Sequence, residues 1–251
     1  MVHTHTLTFD GPLLVKRYAS WARGEHRREW SVLQHVHRHR PDLAPTPVSA
    51  DLDAVPPTVT MTVVPGTPLT ERPSPAQLDA LTAAITTLWT VPLPDDAWRD
   101  NLRLARRLVD APRPTDEVAA AAHDAAVAWW RGPDPHLLGT PPVDTVLGHG
   151  DPNLANYLWD GRRIRIVDFE DAGVSDPANE VALLVEHLST RGLDSEVLAA
   201  RFDVDPVRLR AARRLWAMFW LWLVRPGGPS SRSPEVVDAQ ARRLLRLITG
   251  P

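Results

Sequence analysis

Polar and apolar residues alternate from Thr4 to Phe9, a period of two that predicts a strand, and the turn pair Asp10-Gly11 leads into a second strand, Leu13 to Tyr18. From Ser20 to His39 the period lengthens to that of a helix, with Trp21, Trp30, Leu33 and Val36 among its apolar positions and Pro41 beyond its end. Thr58 to Val64 is β-branched and apolar and predicts a buried strand, broken by Pro65-Gly66. Residues 1–64 therefore read as strand, strand, helix, strand.

The rest of the chain is mostly helical in pattern. Helices are expected over Pro75 to Trp89 with Ser74 as N-cap, Asp96 to Val109, Thr115 to Trp130, Asn179 to Ser189, Ser195 to Arg201, Pro206 to Val224 and Pro234 to Ile248. A short strand, Val143 to Leu147, interrupts them, followed by a hairpin of Tyr157 to Trp159 and Ile164 to Val167 around Asp160-Gly161. Gly227-Gly228-Pro229-Ser230 is a joint before the last helix, and no internal repeat is present.

Composition narrows the class. With 251 residues, 43% apolar and 24% charged, the chain can bury a substantial core. A formal net charge of -3 gives no general basic surface, so nucleic acid is not an expected partner. There is no cysteine, which excludes disulfides and thiol chemistry and fits a cytoplasmic location. The N-terminus lacks a secretory pattern, and the most apolar run, Leu215 to Val224, is too short for the roughly 20 residues that span a bilayer, so no membrane association is expected. Oligomeric state is not set by the sequence. Of 28 basic residues only Lys16 is a lysine. The bias looks like a GC-rich genome that writes Arg for a plain positive charge. Lys16 is then either a leftover or a compact point charge kept for phosphate oxygens.

The chemistry concentrates in two segments, His149-Gly150-Asp151-Pro152-Asn153-Leu154-Ala155-Asn156 and Ile166-Val167-Asp168-Phe169-Glu170-Asp171. Asp151 follows a strand and a glycine, Asn156 comes five residues later, and Asp168 ends an apolar strand. That order suits phosphoryl transfer from a metal-bound nucleoside triphosphate. One carboxylate orients the acceptor hydroxyl and takes its proton, while an amide oxygen and a second carboxylate hold Mg²⁺. Taken singly, each residue also reads as a turn, a cap or a loop start.

Together these segments resemble the aminoglycoside phosphotransferase and choline kinase-like family, relatives of the protein kinases, most strongly from Val146 to Ala182. The resemblance implies an α+β, two-lobed protein-kinase-like fold with a reduced N-terminal β lobe (1–64, nucleotide-binding) and a mainly helical C-terminal lobe (65–251) carrying the catalytic loop, metal site and acceptor pocket. It implies Asp151 as catalytic base and Asn156 and Asp168 as Mg²⁺ ligands. Lys16 would bind the α/β-phosphates and pair with an acid on the following helix, Glu29 or else Glu25. Backbone around Thr62, Val63 and Val64 would meet the adenine of ATP (or the base of GTP). His149 reads as a structural hydrogen-bonding residue and Asp176 as a loop tether. Glu170 and Asp171 either line the metal site or stabilise the loop. Trp216, Trp220 and Trp222 are core, or one of them walls the acceptor pocket. The acceptor is expected to be a hydroxylated small molecule, an antibiotic first, with Asp171, Glu180 and Glu186 suited to a cationic one. A choline- or sugar-kinase-like enzyme and an inactive nucleotide-binding interaction module are the alternatives. The chain departs from the kinase pattern in one place. Only 15 residues precede Lys16, with Gly11 the sole glycine among them, so a glycine-rich phosphate loop is not expected.

Overall fold

The computed structural model describes residues 5–94, 101–140, 142 and 144–250. The chain forms two compact units: residues 1–97 with 145–175, and 98–144 with 176–251. The segment carrying both motifs groups with the N-terminal strands in the first unit.

In the first unit, β1 (His5–Asp10) and β2 (Leu13–Tyr18) form a hairpin in which Asp10 pairs with Leu13, Leu7 with Lys16 and His5 with Tyr18. Gly11 takes φ 56, a turn position that suits glycine. Helix α1 (Glu25–His39) follows, then β3 (Pro47–Asp51) and β4 (Thr58–Thr62), giving an antiparallel sheet of order β1-β2-β4-β3. Helix α1 begins five residues later than the periodicity predicts. Gly24 adopts φ 74 and the preceding Trp21-to-Gly24 segment closes as a turn, so the helix starts at Glu25. Its buried face carries Glu25, His26, Glu29, Val32, Leu33 and Val36, a stripe of helical period, so two carboxylates are buried on the same stripe as the core residues.

Strand β5 (Thr67–Pro68) and helix α2 (Pro75–Trp89) come next, the helix capped reciprocally by Ser74 and Gln77. A Cβ at Gly66 would lie 2.9 Å from the Trp159 carbonyl oxygen, so glycine is what lets β5 lie this close to its partner. Strands β6 (Val146–Gly148), β7 (Tyr157–Trp159), β8 (Ile164–Ile166) and β9 (Gly173–Ser175) complete the unit: β5-β7-β8 is one sheet and β6-β9 another. Helix α2 packs Leu81, Ala84, Ile85 and Leu88 inward, against β8 and β6.

The second unit is helical: α3 (Leu102–Val109), α4 (Glu117–Trp130), α5 (Asp134–Gly139), α6 (Pro177–Glu186), α7 (Ser195–Ala199), α8 (Pro206–Val224) and α9 (Pro234–Thr249). Residues 96–100 of the expected third helix and Val143 of the expected strand lie outside the described residues. Helix α8 is the hub, packed on α3, α6 and α9, with Ala211, Ala212, Leu215, Trp216, Ala217 and Met218 buried. Its alanines let neighbouring helices approach closely. Aspartates at positions 116, 176, 194 and 205 cap their helices through side-chain oxygens, each worth about 1 kcal/mol. Among the described residues no helix is long and apolar enough to cross a membrane.

Candidate active site

Strand β2 points Lys16 to the buried side of its sheet, where the side chain is only 6% exposed. Its Nζ lies 2.7 Å from Glu29 Oε2, 2.5 Å from Asp168 Oδ1 and 3.0 Å from Glu170 Oε2. One ammonium thus joins the sheet, α1 and the turn after β8. Burial works against its charge, but Glu29, Asp168 and Glu170 together hold the Lys16 pKa above the ordinary lysine value. Between the two candidate partners on α1, the structure selects Glu29. Glu25 instead accepts the Arg23 N–H and Nε, each at 2.9 Å, and closes the turn before the helix.

The catalytic-loop candidates are assembled by β6 and the β7–β8 hairpin. Gly150 takes φ 79 and turns the chain out of β6. Asp151 follows, half-buried; its Oδ2 accepts the Asn156 Nδ2 at 3.0 Å and its Oδ1 the Asn153 N–H at 3.3 Å. Asn156 Nδ2 also donates to the Asp151 carbonyl at 3.1 Å. With the amide nitrogen committed, Oδ1 is the Asn156 atom suited to a cation. Tyr157 pairs with Ile166, and the Val167 N–H donates to the Asn156 carbonyl at 2.9 Å. Asn156 and Asp168 therefore flank the open end of one hairpin. Asp168 sits at φ 68, ψ 65, the one non-glycine residue with positive φ among those described. A left-handed aspartate costs on the order of 1 kcal/mol and turns its carboxylate toward Lys16 instead of continuing the strand.

Electrostatics separate the carboxylates. Burial pushes the Asp151 carboxyl above the ordinary aspartate value; His149 opposes this, and Asp168 and Asp171 add like charge. Glu170 goes the other way, to about 2, because His5 and Lys16 overcome the effect of its burial. His149 Nε2 lies 3.0 Å from the Val167 carbonyl, and the ring meets Phe169 edge-on with centroids 5.0 Å apart. This is a loop-holding position, as its sequence context implied. The oxygens of Asn156 and Asp168 are a hard donor set of the kind Mg²⁺ takes.

Thr62 ends β4 opposite Leu13. Its N–H donates to the Thr46 carbonyl and its Oγ1 accepts the Thr46 N–H, both at 2.9 Å, while the Val63 N–H donates to the Pro12 carbonyl at 2.8 Å. In the backbone segment expected at a nucleobase, the Thr62 and Val63 amides are thus used within the unit. In the second unit Asp176 caps α6 and binds Arg208 Nε at 3.0 Å, a tether as expected. Glu186 is corrected: it is fully buried under Arg191, Arg213 and Arg243 and is not available to a cationic acceptor. Trp216 is core, its indole N–H donating to Asn179 Oδ1 at 3.0 Å.

Sequence reasoning missed His5 and Tyr18, and it left open which role Glu170 plays. The signal for the first two was present. Counting back from the Asp10-Gly11 turn places His5 opposite Tyr18 and both on the Lys16 face of the hairpin.

The sequence profile of the phosphotransferase enzyme family matches residues 2–216. The chain belongs to that family. No curated protein sequence matches it. Among solved structures, this phosphotransferase-family chain is similar to a choline/ethanolamine kinase family protein from Mesorhizobium loti, at TM-score 0.75 and 15% identity over 99% of this chain and 86% of that one. It is similar to the choline kinase LicA from Streptococcus pneumoniae at TM-score 0.69 and 12% identity, covering 99% and 90%. A third likeness is to spectinomycin phosphotransferase APH(9)-Ia in complex with ADP and spectinomycin, at TM-score 0.65 and 10% identity, covering 99% and 93%. These identities show the fold alone: protein-kinase-like α+β, with a small antiparallel N-terminal sheet and a helical C-terminal part.

Proposed function

We propose that this phosphotransferase-family protein moves the γ-phosphoryl group of ATP (or GTP) to a hydroxyl of a small molecule, an antibiotic first. The observation that carries the reading is the pairing of two sets in one compact unit: Asp151 locked to Asn156, and Lys16 bound to both Glu29 and Asp168. Residues 1–64 serve as the nucleotide lobe. The remainder carries the catalytic loop, the metal site and the acceptor side.

Asp151 accepts the proton of the acceptor hydroxyl as its oxygen bonds to the γ-phosphorus. The bond from that phosphorus to the β–γ bridging oxygen breaks, and the nucleoside diphosphate leaves. The raised pKa suits a base that must take a proton and later give it up. Lys16 steadies the donor's phosphates, its charge maintained by Glu29. Asn156 and Asp168 would hold Mg²⁺, which supplies charge neutralisation at the phosphate oxygens. The Val64 amide is the group offered to the nucleobase.

An antibiotic acceptor draws support from the spectinomycin complex among the similar structures, and an amino-alcohol acceptor from the choline kinase LicA and the choline/ethanolamine kinase family protein. The test is incubation with Mg²⁺ and ATP or GTP across a panel of antibiotics, sugars and amino alcohols, read by mass. Gain of one phosphate on a hydroxyl of any member supports the reading and names the acceptor class. Nucleotide binding without transfer to any member contradicts it and favours an inactive binding module.

A further inference from the structure

Two aromatic side chains behind Lys16 have no part in the chemistry proposed above. His5 and Tyr18 are cross-strand partners in the β1–β2 ladder, with ring centroids 4.7 Å apart. Cross-strand partners share a sheet face and alternate residues return to it, so both project from the face that carries Lys16. Each secures a different carboxylate. The fully buried Tyr18 hydroxyl donates to Glu29 Oε2, the same oxygen that takes Lys16 Nζ. His5 Nε2 lies 2.6 Å from Glu170 Oε2, again the oxygen that takes Lys16. The His5 tautomer follows from its other nitrogen: Nδ1 accepts the Ala19 N–H at 3.2 Å, so the ring proton sits on Nε2 and is donated to Glu170.

The third partner of Lys16 differs. Among the described residues, Lys16 is the one hydrogen-bond donor to the Asp168 carboxylate, and the Asp168 side chain is 36% exposed against 1% for Glu29 and 14% for Glu170. Two carboxylates are pinned by a second donor and one is not. Three carboxylates around one ammonium leave an excess of negative charge, which rises further when phosphates approach, so one carboxylate must yield.

We propose that His5 and Tyr18 are positioning residues: by pinning Glu170 and Glu29 they keep Lys16 in place while Asp168 alone gives up its contact to the arriving metal–nucleotide. This rests on the donor site of the proposed function.

Because Lys16 is the only lysine, protein labelled with ¹⁵N-lysine at Nζ gives a single side-chain ammonium resonance. That resonance is measured in wild type, His5→Leu, His5→Gln and Tyr18→Phe, with and without Mg²⁺ and adenylyl imidodiphosphate. The Kd of that nucleotide, and KM and kcat for transfer, are read on the same proteins. His5→Leu and Tyr18→Phe are expected to move the Lys16 resonance in the nucleotide-free protein and to raise Kd and KM about tenfold, with kcat changed less than about threefold. His5→Gln, which keeps one acceptor and one donor, stays within about twofold of wild type. Wild-type resonance and Kd in both His5→Leu and Tyr18→Phe would overturn the proposal, as would a wild-type resonance indifferent to the metal–nucleotide. A wild type that binds nucleotide yet transfers no phosphate contradicts the proposed function, while the resonance and Kd still decide the roles of His5 and Tyr18.

Discussion

Around Lys16 one ammonium meets three carboxylates, whereas around Glu186 one carboxylate meets three guanidiniums. Both clusters are buried, but they resolve their imbalance differently. At Glu186 every arginine has a further partner: Arg213 reaches Glu196 and Ser195, Arg191 reaches Gln240, and Arg243 reaches the Val185 carbonyl. Glu186 itself has no exposed surface. The burden shows in Arg191, which burial and the neighbouring Arg243 pull down to about 10. Such a cluster is complete and joins α6 to α8 and α9. At Lys16 the imbalance is left standing, and one carboxylate, Asp168, remains open to solvent at its edge. A buried ion cluster that satisfies itself is a structural staple; one that is left over-charged on an accessible side is suited to a ligand of the missing charge.

Substitutions in the two clusters should therefore have opposite signatures. Asp168→Asn is expected to lower transfer at least about a hundredfold while leaving the melting temperature unchanged or slightly higher, since it removes one of three like charges. Rates and thermal scans on one preparation check both halves, and a large loss of stability with activity retained would erase the contrast. Glu186→Ala should do the reverse. It leaves three buried guanidiniums without their shared partner and costs on the order of 3–5 kcal/mol, with kcat per folded molecule unchanged. Denaturant titration beside active-site-normalised rates would reveal it.

Smaller effects follow from pH. Asp151 must be ionised to accept a proton, so the rate should fall as the pH drops through its raised pKa, above the ordinary aspartate value of 3.8. Asp171→Asn removes a like charge and should move that acid limb down by less than about one unit. An acid limb that stays in place or rises would count against the assignment. Glu170 is shifted the other way, downward, and acts on stability. Its pKa is lowered from 4.5 to about 2, so its contribution is complete above pH 4.5 and is lost as the pH falls from 4.5 toward 2. Urea midpoints of wild type and Glu170→Gln should converge over that window.

Much of this was legible in the sequence because it is written in local spacing. The Asp151–Asn156 interval, the strand ending at Asp168 and the single lysine each stand out within a few residues. Glu29 stands within the helix that follows the Lys16 strand, beside Arg28 and Trp30, and in the structure it shares a buried stripe with Val32, Leu33 and Val36. What escaped was short or distant. Strands β5 and β9 have two and three residues, too few to show a period, and β3 begins at Pro47, a residue that weakens a strand signal. The His5–Glu170 bond spans 165 positions and is created by folding, with no trace in the pattern around either residue. The start of α1 was misjudged because Trp21 and Ala22 extend the apolar pattern through a turn that Gly24 closes.

The central claim is that the Lys16, Asp151, Asn156 and Asp168 set is a phosphoryl-transfer site. The most direct measurement is the single-turnover rate of phosphate transfer to an acceptor found in the panel, for wild type and Asp151→Asn at saturating Mg²⁺ and nucleotide, with the nucleotide Kd measured alongside. The account predicts a fall of about 10²–10⁴-fold in the variant with Kd within about threefold of wild type. A variant that transfers phosphate at the wild-type rate would contradict it.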